Sequence, residues 1–382
     1  MIYRPRHGLN VPTVSIVDDA GHIIEDQQRR VIRYVIQNGF GADVIFGNGT
    51  TGEWNRLKND QRARLIAMTI EEVQHSGRSG KVGQDNVEAW VGVNGKTKAD
   101  VLSNLDVAIQ LRADAAVIAP LAIDDLNEDE IVRFFRRDVA QMIEEGKTNL
   151  PVFLYDNADI NSPGRQPHVR THVVKELSRL PWIAGIKVSA PRHVLGNYTK
   201  GALHFKQPGE FGIYIGNAML IFDWYRPQSG FIGRLREGLN EWLLSRTLPV
   251  GVVSGPGNVL PREWHKAWRV CWAGDTELMD QYYRILQKYE DATKFSAPGG
   301  QYAGRYLACL KYALELEGVI DSSLVVKGTA PLSAEEKSIF RDRWLDLKGT
   351  INSDLPEIWR STKGHHPQEI RKPGPMTELM DL

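Results

Sequence analysis

Three short stretches of the 382-residue chain carry side chains whose types and spacing suit chemistry at a carbonyl. The first is Gly185-Ile186-Lys187, near the end of an apolar run over 181–188. A lysine that closes a buried strand must find a partner or lose its proton, because burying an ammonium is costly. A neutral amine in an apolar pocket is the nucleophile that forms a Schiff base with a ketone or aldehyde. Taken in isolation, Gly-Ile-Lys also describes a strand-end lysine that reaches back to water, so its neighbours must decide. The second feature is Tyr155, which closes the run 151–155. Its phenol both donates and accepts, so it can move a proton to and from an amine or alkoxide, or simply be an interior aromatic with its hydroxyl satisfied. The third is Gly49-Thr50-Thr51-Gly52-Glu53. Glycine-freed backbone amides beside two hydroxyls suit a carboxylate or phosphate, although a tight loop with a threonine cap has the same composition.

The elements that must position these residues alternate along the chain. β-Branched runs over 13–17, 42–46, 90–93, 115–119, 151–155 and 182–187 read as strands, with weaker ones at 211–215 and 249–254. Between them lie amphipathic stretches at 25–38, from about 59, from the capping pattern at Thr97 to Asp100, at 127–145 behind Asn127 and Glu130, and at 168–179. Almost continuously apolar strands alternating with helices predict a parallel sheet covered on both faces. Eight strands before residue 255 match a (β/α)8 TIM barrel of about 250 residues. An open doubly wound sheet is the competitor, weakened because no dinucleotide-type glycine spacing follows the first strand. The expected organisation is a barrel over 10–260, a C-terminal helical extension over 261–348 packed on it, and a surface arm or partly disordered tail over 349–382. Residues 218–248 read as an insertion or helix pair. In a barrel the chemistry sits at the C-terminal strand ends, and all three stretches fall there, so they should converge.

Composition narrows the partners. Forty-seven basic and 47 acidic side chains balance, which gives no electrostatic footprint for nucleic acid or an anionic membrane. Two cysteines, Cys271 and Cys309, are too few for a disulfide framework or a cysteine-built zinc site. No apolar leader opens the chain and no apolar run is long enough to cross a bilayer, so a cytoplasmic, soluble protein is expected. His365 and His366 lie in the tail and read as solvated, so no metal site is expected.

The ordered set of Gly49-Thr50-Thr51-Gly52-Glu53, Leu154-Tyr155-Asp156-Asn157, Gly185-Ile186-Lys187, and Gly251-Val252-Val253-Ser254-Gly255 leading to Asn258 and Pro261 resembles the dihydrodipicolinate synthase and N-acetylneuraminate lyase family of class I aldolases. The resemblance covers roughly residues 10 to 345. It implies a Schiff base between Lys187 and pyruvate or another 2-oxo acid, proton transfer by Tyr155, and a carboxylate held at Gly49, Thr50 and Thr51. It further implies no cofactor beyond the covalent imine on Lys187, a small-molecule 2-oxo acid as partner, and a homo-oligomer, dimer or tetramer. Asn157, Asn217 and Asn258, with Asp159 and Ser189, are expected to line the remainder of the site. Two departures mark the chain as a divergent member. Ala119-Pro120-Leu121-Ala122 stands where synthases carry a tyrosine pair, and Tyr155-Asp156-Asn157-Ala158-Asp159 lacks the arginine that follows soon after the strand-five tyrosine, Arg165 lying further along. Aldol cleavage or condensation, or dehydration of a 2-keto-3-deoxy acid, is therefore the leading expectation. The alternatives are dihydrodipicolinate synthase proper and a barrel that binds a 2-oxo acid without turning it over.

Overall fold

Eight short apolar strands close on themselves in chain order: β1 (Gly8–Pro12), β2 (Val44–Gly47), β3 (Glu88–Gly92), β4 (Ala115–Ile118), β5 (Val152–Asn157), β6 (Ile183–Ser189), β7 (Gly212–Ile215) and β8 (Gly251–Val253). Every pairing is parallel, and β8 returns to β1 through Gly8 opposite Gly251. This computed structural model describes residues 3–77, 86–124, 126–201, 209–226, 249–296 and 302–355. The TIM barrel and its helical extension are both present, as the alternation of the sequence predicts.

Side chains alternate across each strand and make two cores. Leu9, Val11, Ile45, Val91 and Ile186 face the helices, while Val44, Phe46, Trp90, Val117, Phe153, Tyr155 and Tyr214 fill the barrel. Trp90 stacks on Phe153 at 4.0 Å between ring centroids, and Tyr214 meets both edge-on at 4.9 and 5.5 Å. The enclosing helices include α1 (Glu25–Ile36), α2 (Asn59–Ser76), α3 (Lys98–Gln110), α4 (Glu128–Phe134), α5 (Ala140–Glu145), α6 (Thr171–Ser178), α7 (Arg192–Gly201) and the short α8 (Leu220–Trp224). A π-helical turn, Phe135–Val139, joins α4 to α5. The C-terminal region adds α9 (Pro261–Ala273), α10 (Thr276–Ala292), a hairpin of β9 (Lys294–Ser296) and β10 (Tyr302–Gly304), α11 (Tyr306–Leu316) and α12 (Ala334–Asp354).

The first strand differs from expectation. The β-branched run 13–17 is not β1; the strand lies just before it at Gly8–Pro12, and the run continues as the following loop. Side chains take the place of a neighbouring strand there: the Val14 amide donates to Asn258 Oδ1 at 3.1 Å and the Ile16 amide to Gln28 Oε1 at 2.9 Å. Periodicity cannot distinguish a ladder from such side-chain capping. At the other end, α12 continues to Asp354, past residue 349 where the arm was expected to start, because Ile351 remains buried against the bundle. Most of the 218–248 segment and residues 356–382 lie outside the described residues, as does any account of their form.

One irregularity aims the site. Ala184 faces the barrel interior and so does Lys187, three residues on, although strand alternation has a period of two. The register between β5 and β6 shifts at Val152/Phe153, so that Val152 pairs with Ile183 but Phe153 pairs with Gly185. This bulge inserts one residue and turns Lys187 inward, a use of bulges that recurs beside active sites. Gly185 makes it possible, because a methyl there would collide with the Gly212 carbonyl and stand 2.7 Å from the Phe153 ring. Gly185→Ala is expected to lower stability by about 1–3 kcal/mol, read as a lower urea midpoint with unchanged slope. A variant as stable as the parent would show that the close approach is not a constraint.

Candidate active site

Lys187 is 5% exposed at the C-terminal end of β6. Its neighbours in register are Tyr155 on β5 and Tyr214 on β7. The Nζ lies 4.0 Å from the centre of the Tyr155 ring and 5.0 Å from that of Phe46. No carboxylate stands within ion-pair distance of it among the described residues. Burial therefore pushes the amine below the ordinary lysine range, with Tyr155 opposing the shift. Burial pushes the Tyr155 phenol the other way, but the adjacent Lys187 charge and hydrogen bonds to Ser189, Thr50 and Asn157 outweigh it and leave the phenol below its ordinary value.

Those hydrogen bonds make Tyr155 the hub of the site. Its hydroxyl is 3.0 Å from Thr50 Oγ1 and 3.3 Å from Ser189 Oγ, and it accepts from Asn157 Nδ2 at 2.9 Å. Asn157 is itself fixed, since its Oδ1 accepts the Asp159 amide at 3.1 Å. The turn after β2 is built by its own backbone: the Gly52 amide donates to Gly49 O at 3.0 Å and the Glu53 amide to Thr50 O at 2.9 Å. Ser15 Oγ donates to Gly52 O at 2.5 Å. Among the described residues no acceptor faces the amides of Thr50 and Thr51. Two amides without an acceptor among the described residues and a threonine hydroxyl, beside a buried amine, are a donor set that suits an anion.

A cavity of about 390 Å³ opens over these groups. Lys187, Tyr155, Thr50, Thr51, Asn157 and Asn217 line it, together with Asp159 and Ser189. Gly49 and Asn258 stand behind the wall instead of on it. Gly49 packs against the Phe46 ring, 3.0 Å from where its Cβ would be. Asn258 spends its whole amide on backbone, accepting from Val14 and donating to Pro12 O and Gly255 O, both at 2.8 Å, so it staples the exit of β1 to the turn after β8. Its polarity suggested ligand contact; its geometry makes it structural.

Sequence reasoning missed Tyr306 and Glu290, which reach the cavity from the C-terminal helices. Gly255 admits Tyr306, since a methyl there would collide with the phenol oxygen. The small-residue run 251–257 was the signal for such a neighbour, though it does not say which one. Burial, with Asp291 beside it, holds the Glu290 carboxyl above its ordinary range, against Lys294. His168 and His172 have helical ligand spacing, but each faces a different carboxylate, Asp156 at 3.0 Å and Glu128 at 3.1 Å. No group of three potential metal ligands occurs among the described residues.

Comparison with known proteins bears on this geometry. The family model described as the dihydrodipicolinate synthetase family matches residues 6–218, more than half of the chain. The chain belongs to that family. A 4-hydroxy-tetrahydrodipicolinate synthase of Macrococcus caseolyticus is 26% identical over 256 residues, covering 67% of this chain and 71% of the relative. One from Ralstonia nicotianae is 22% identical over 343 residues, covering 87% and 95%. For one from Methanothermobacter thermautotrophicus, 26% identical over 46% of this chain, the match spans about half of the relative, 53%. Among solved structures, the dihydrodipicolinate synthase of Bacteroides thetaiotaomicron superposes with a TM-score of 0.71 at 19% identity, over 90% of this chain and 100% of that one. A prophage protein of E. coli K12 from the dihydrodipicolinic acid synthase family, solved with pyruvate, gives 0.67 at 21%, over 90% and 98%. At these identities the structures establish a shared fold.

Within the family frame, the departures take physical form. Ala119, Pro120, Leu121 and Ala122 are buried, with no phenol among them. The charged side chains on the described cavity wall are Lys187, Asp159 and Glu290, and no arginine is among them. Among the described residues no helix is long and apolar enough to cross a membrane.

The shifted amine has a direct readout. Labelling of Lys187 by an amine-reactive reagent across pH, followed by peptide mass spectrometry, is expected to show a midpoint below that of free lysine, about 10.4. Tyr155→Phe removes the group that opposes the shift, so the midpoint should move lower still. A midpoint at or above the free value would contradict the desolvated environment.

Proposed function

We propose that the protein is a Schiff-base-forming lyase acting on pyruvate or a related 2-oxo acid. The observation that carries this is the buried Lys187 amine, without a carboxylate partner among the described residues, beside the Tyr155 phenol. The 2-oxo acid carboxylate sits against the Thr50 and Thr51 amides, which turns its ketone toward Lys187. The neutral Nζ attacks C2, and the carbinolamine loses water as Tyr155 supplies a proton. The protonated imine then draws electrons, Tyr155 takes a proton from C3, and an enamine forms. The enamine either adds to an aldehyde, with the reverse step cleaving the same bond, or expels a hydroxyl from C4. The imine is itself the electron sink, so the reading calls for no metal or organic cofactor.

The finer reading is aldol cleavage or condensation, or dehydration of a 2-keto-3-deoxy acid, in place of dihydrodipicolinate synthesis. The apolar segment at Ala119 to Ala122 and the arginine-free described wall support that preference, since a second carboxylated substrate would meet Asp159 and Glu290. The same reading carries a homo-oligomeric, dimeric or tetrameric, cytoplasmic enzyme.

Borohydride reduction in the presence of pyruvate tests the chemistry. The expected product is a 1-carboxyethyl group on Lys187, located by peptide mass spectrometry and lost in Lys187→Ala. Tyr155→Phe should slow trapping by about 10²–10⁴-fold. Wild-type protein that gains no mass on Lys187 would refute the proposal. A panel of aldehydes with pyruvate, alongside 2-keto-3-deoxy acids, then separates condensation from dehydration.

A further inference from the structure

The chain contains a second deeply buried lysine. Lys311 on α11 and Glu53 in the turn after β2 both have fully buried side chains, and they form an ion pair at 2.6 Å. The other Glu53 oxygen accepts the Thr329 hydroxyl, and Lys311 Nζ donates to Leu324 O at 3.1 Å. Two segments of the C-terminal region, at 311 and 329, thus converge on one carboxylate of the barrel, and a third, at 324, holds the ammonium.

We infer that the Glu53–Lys311 pair is a positioning device for substrate capture, holding the Thr50-Thr51 turn in its carboxylate-receiving shape. The inference rests on the Schiff-base reading, because it concerns how the 2-oxo acid is presented to Lys187. Its first support is the backbone. Glu53 lies in the left-handed region, at φ 57°, a conformation a non-glycine residue keeps only when its surroundings impose it. The Glu53 amide donates to Thr50 O at 2.9 Å, so fixing Glu53 fixes Thr50, whose hydroxyl is 3.0 Å from Tyr155. The connection runs from Lys311 through Glu53 and Thr50 to Tyr155, which lies against Lys187.

The second support is energetic. A buried ion pair contributes little net stability, because desolvation of both charges consumes most of the attraction, and apolar side chains of similar volume seal such a space equally well. What the pair adds is position: the Thr329 hydroxyl donates to one oxygen of the carboxylate and the ammonium stands 2.6 Å from the other, so the side chain is held from two sides. Ser15, in the loop after β1, braces the turn at Gly52 from one side, and the pair braces it from the helical region.

The test compares Lys311→Met, the double variant Glu53→Gln with Lys311→Met, and Thr329→Val. For each, melting temperature is measured together with the pyruvate concentration that half-saturates borohydride trapping of Lys187 and the trapping rate at saturation. Lys311→Met strands a buried carboxylate and should melt well below wild type. The double variant removes both charges and should recover most of that loss. Its half-saturating pyruvate should nevertheless rise about ten-fold while trapping at saturation stays near the wild-type rate, a split that a purely structural role would not give. Thr329→Val keeps the ion pair and should raise half-saturation by a smaller factor, about two- to three-fold; it also serves as the test should the double variant not fold. Wild-type half-saturation in the folded double variant, or in Thr329→Val where the double variant does not fold, would overturn the inference alone. Wild-type protein that traps no pyruvate would overturn the Schiff-base reading and this inference together.

Discussion

The structure depends on an amine held out of water without a compensating charge. Lys187 sits among Phe46, Tyr155 and the strand backbones, and among the described residues no carboxylate approaches it. An ammonium in that position is unfavourable, so the fold stabilises the neutral, nucleophilic form. A rigid scaffold is required, because a lysine side chain with any slack would reach water or a carboxylate. The barrel supplies it: strands on both sides, an aromatic stack of Trp90, Phe153 and Tyr214, and a bulge that fixes the direction of the side chain. Lys311 shows the opposite solution within the same chain. It is buried just as deeply but paired with Glu53, and its charge is used to hold a turn.

Much of this was legible in the sequence because it is local. Apolar runs alternating with amphipathic stretches specify a parallel barrel, and Lys187, Tyr155, Thr50 and Thr51 close or follow strands, where barrel chemistry gathers. What was not legible depends on contacts distant in the chain. The inward direction of Lys187 rests on a one-residue register shift near Gly185, which composition does not reveal. Asn258 looked like a ligand contact because it is polar and follows a strand end, yet its amide is consumed by Pro12, Val14 and Gly255, 244 residues away in the case of Val14. The run 13–17 has every local mark of a strand and is a loop, since its Val14 and Ile16 amides are satisfied by side chains.

The C-terminal helices are more than a cover for the barrel. Helix α11 brings Tyr306 to the cavity wall and Lys311 beneath the turn after β2, while α10 brings Glu290. A helix contributes to a site along one face, and its amphipathic pattern records which residues are buried without recording against what. The reach of α11 into the site therefore appears only when Gly255, at the end of β8, is seen to leave room for the Tyr306 phenol.

The absence of a tyrosine at 119–122 bears on how protons move. In this chain the Tyr155 oxygen has Thr50, Ser189 and Asn157 as partners, and the Asn157 amide can only donate to it. A donor fixed on the phenol oxygen favours the phenolate, and so does the neighbouring Lys187. Lys187 is in turn pushed toward its neutral form by burial. Both groups are thus shifted toward proton loss. Such a pair suits imine chemistry, which needs a neutral amine to attack and a protonated phenol to release water, then a phenolate to take the proton at C3. Thr50 joins the two halves of the site, since its hydroxyl meets the Tyr155 phenol and its turn lines the cavity beside Lys187.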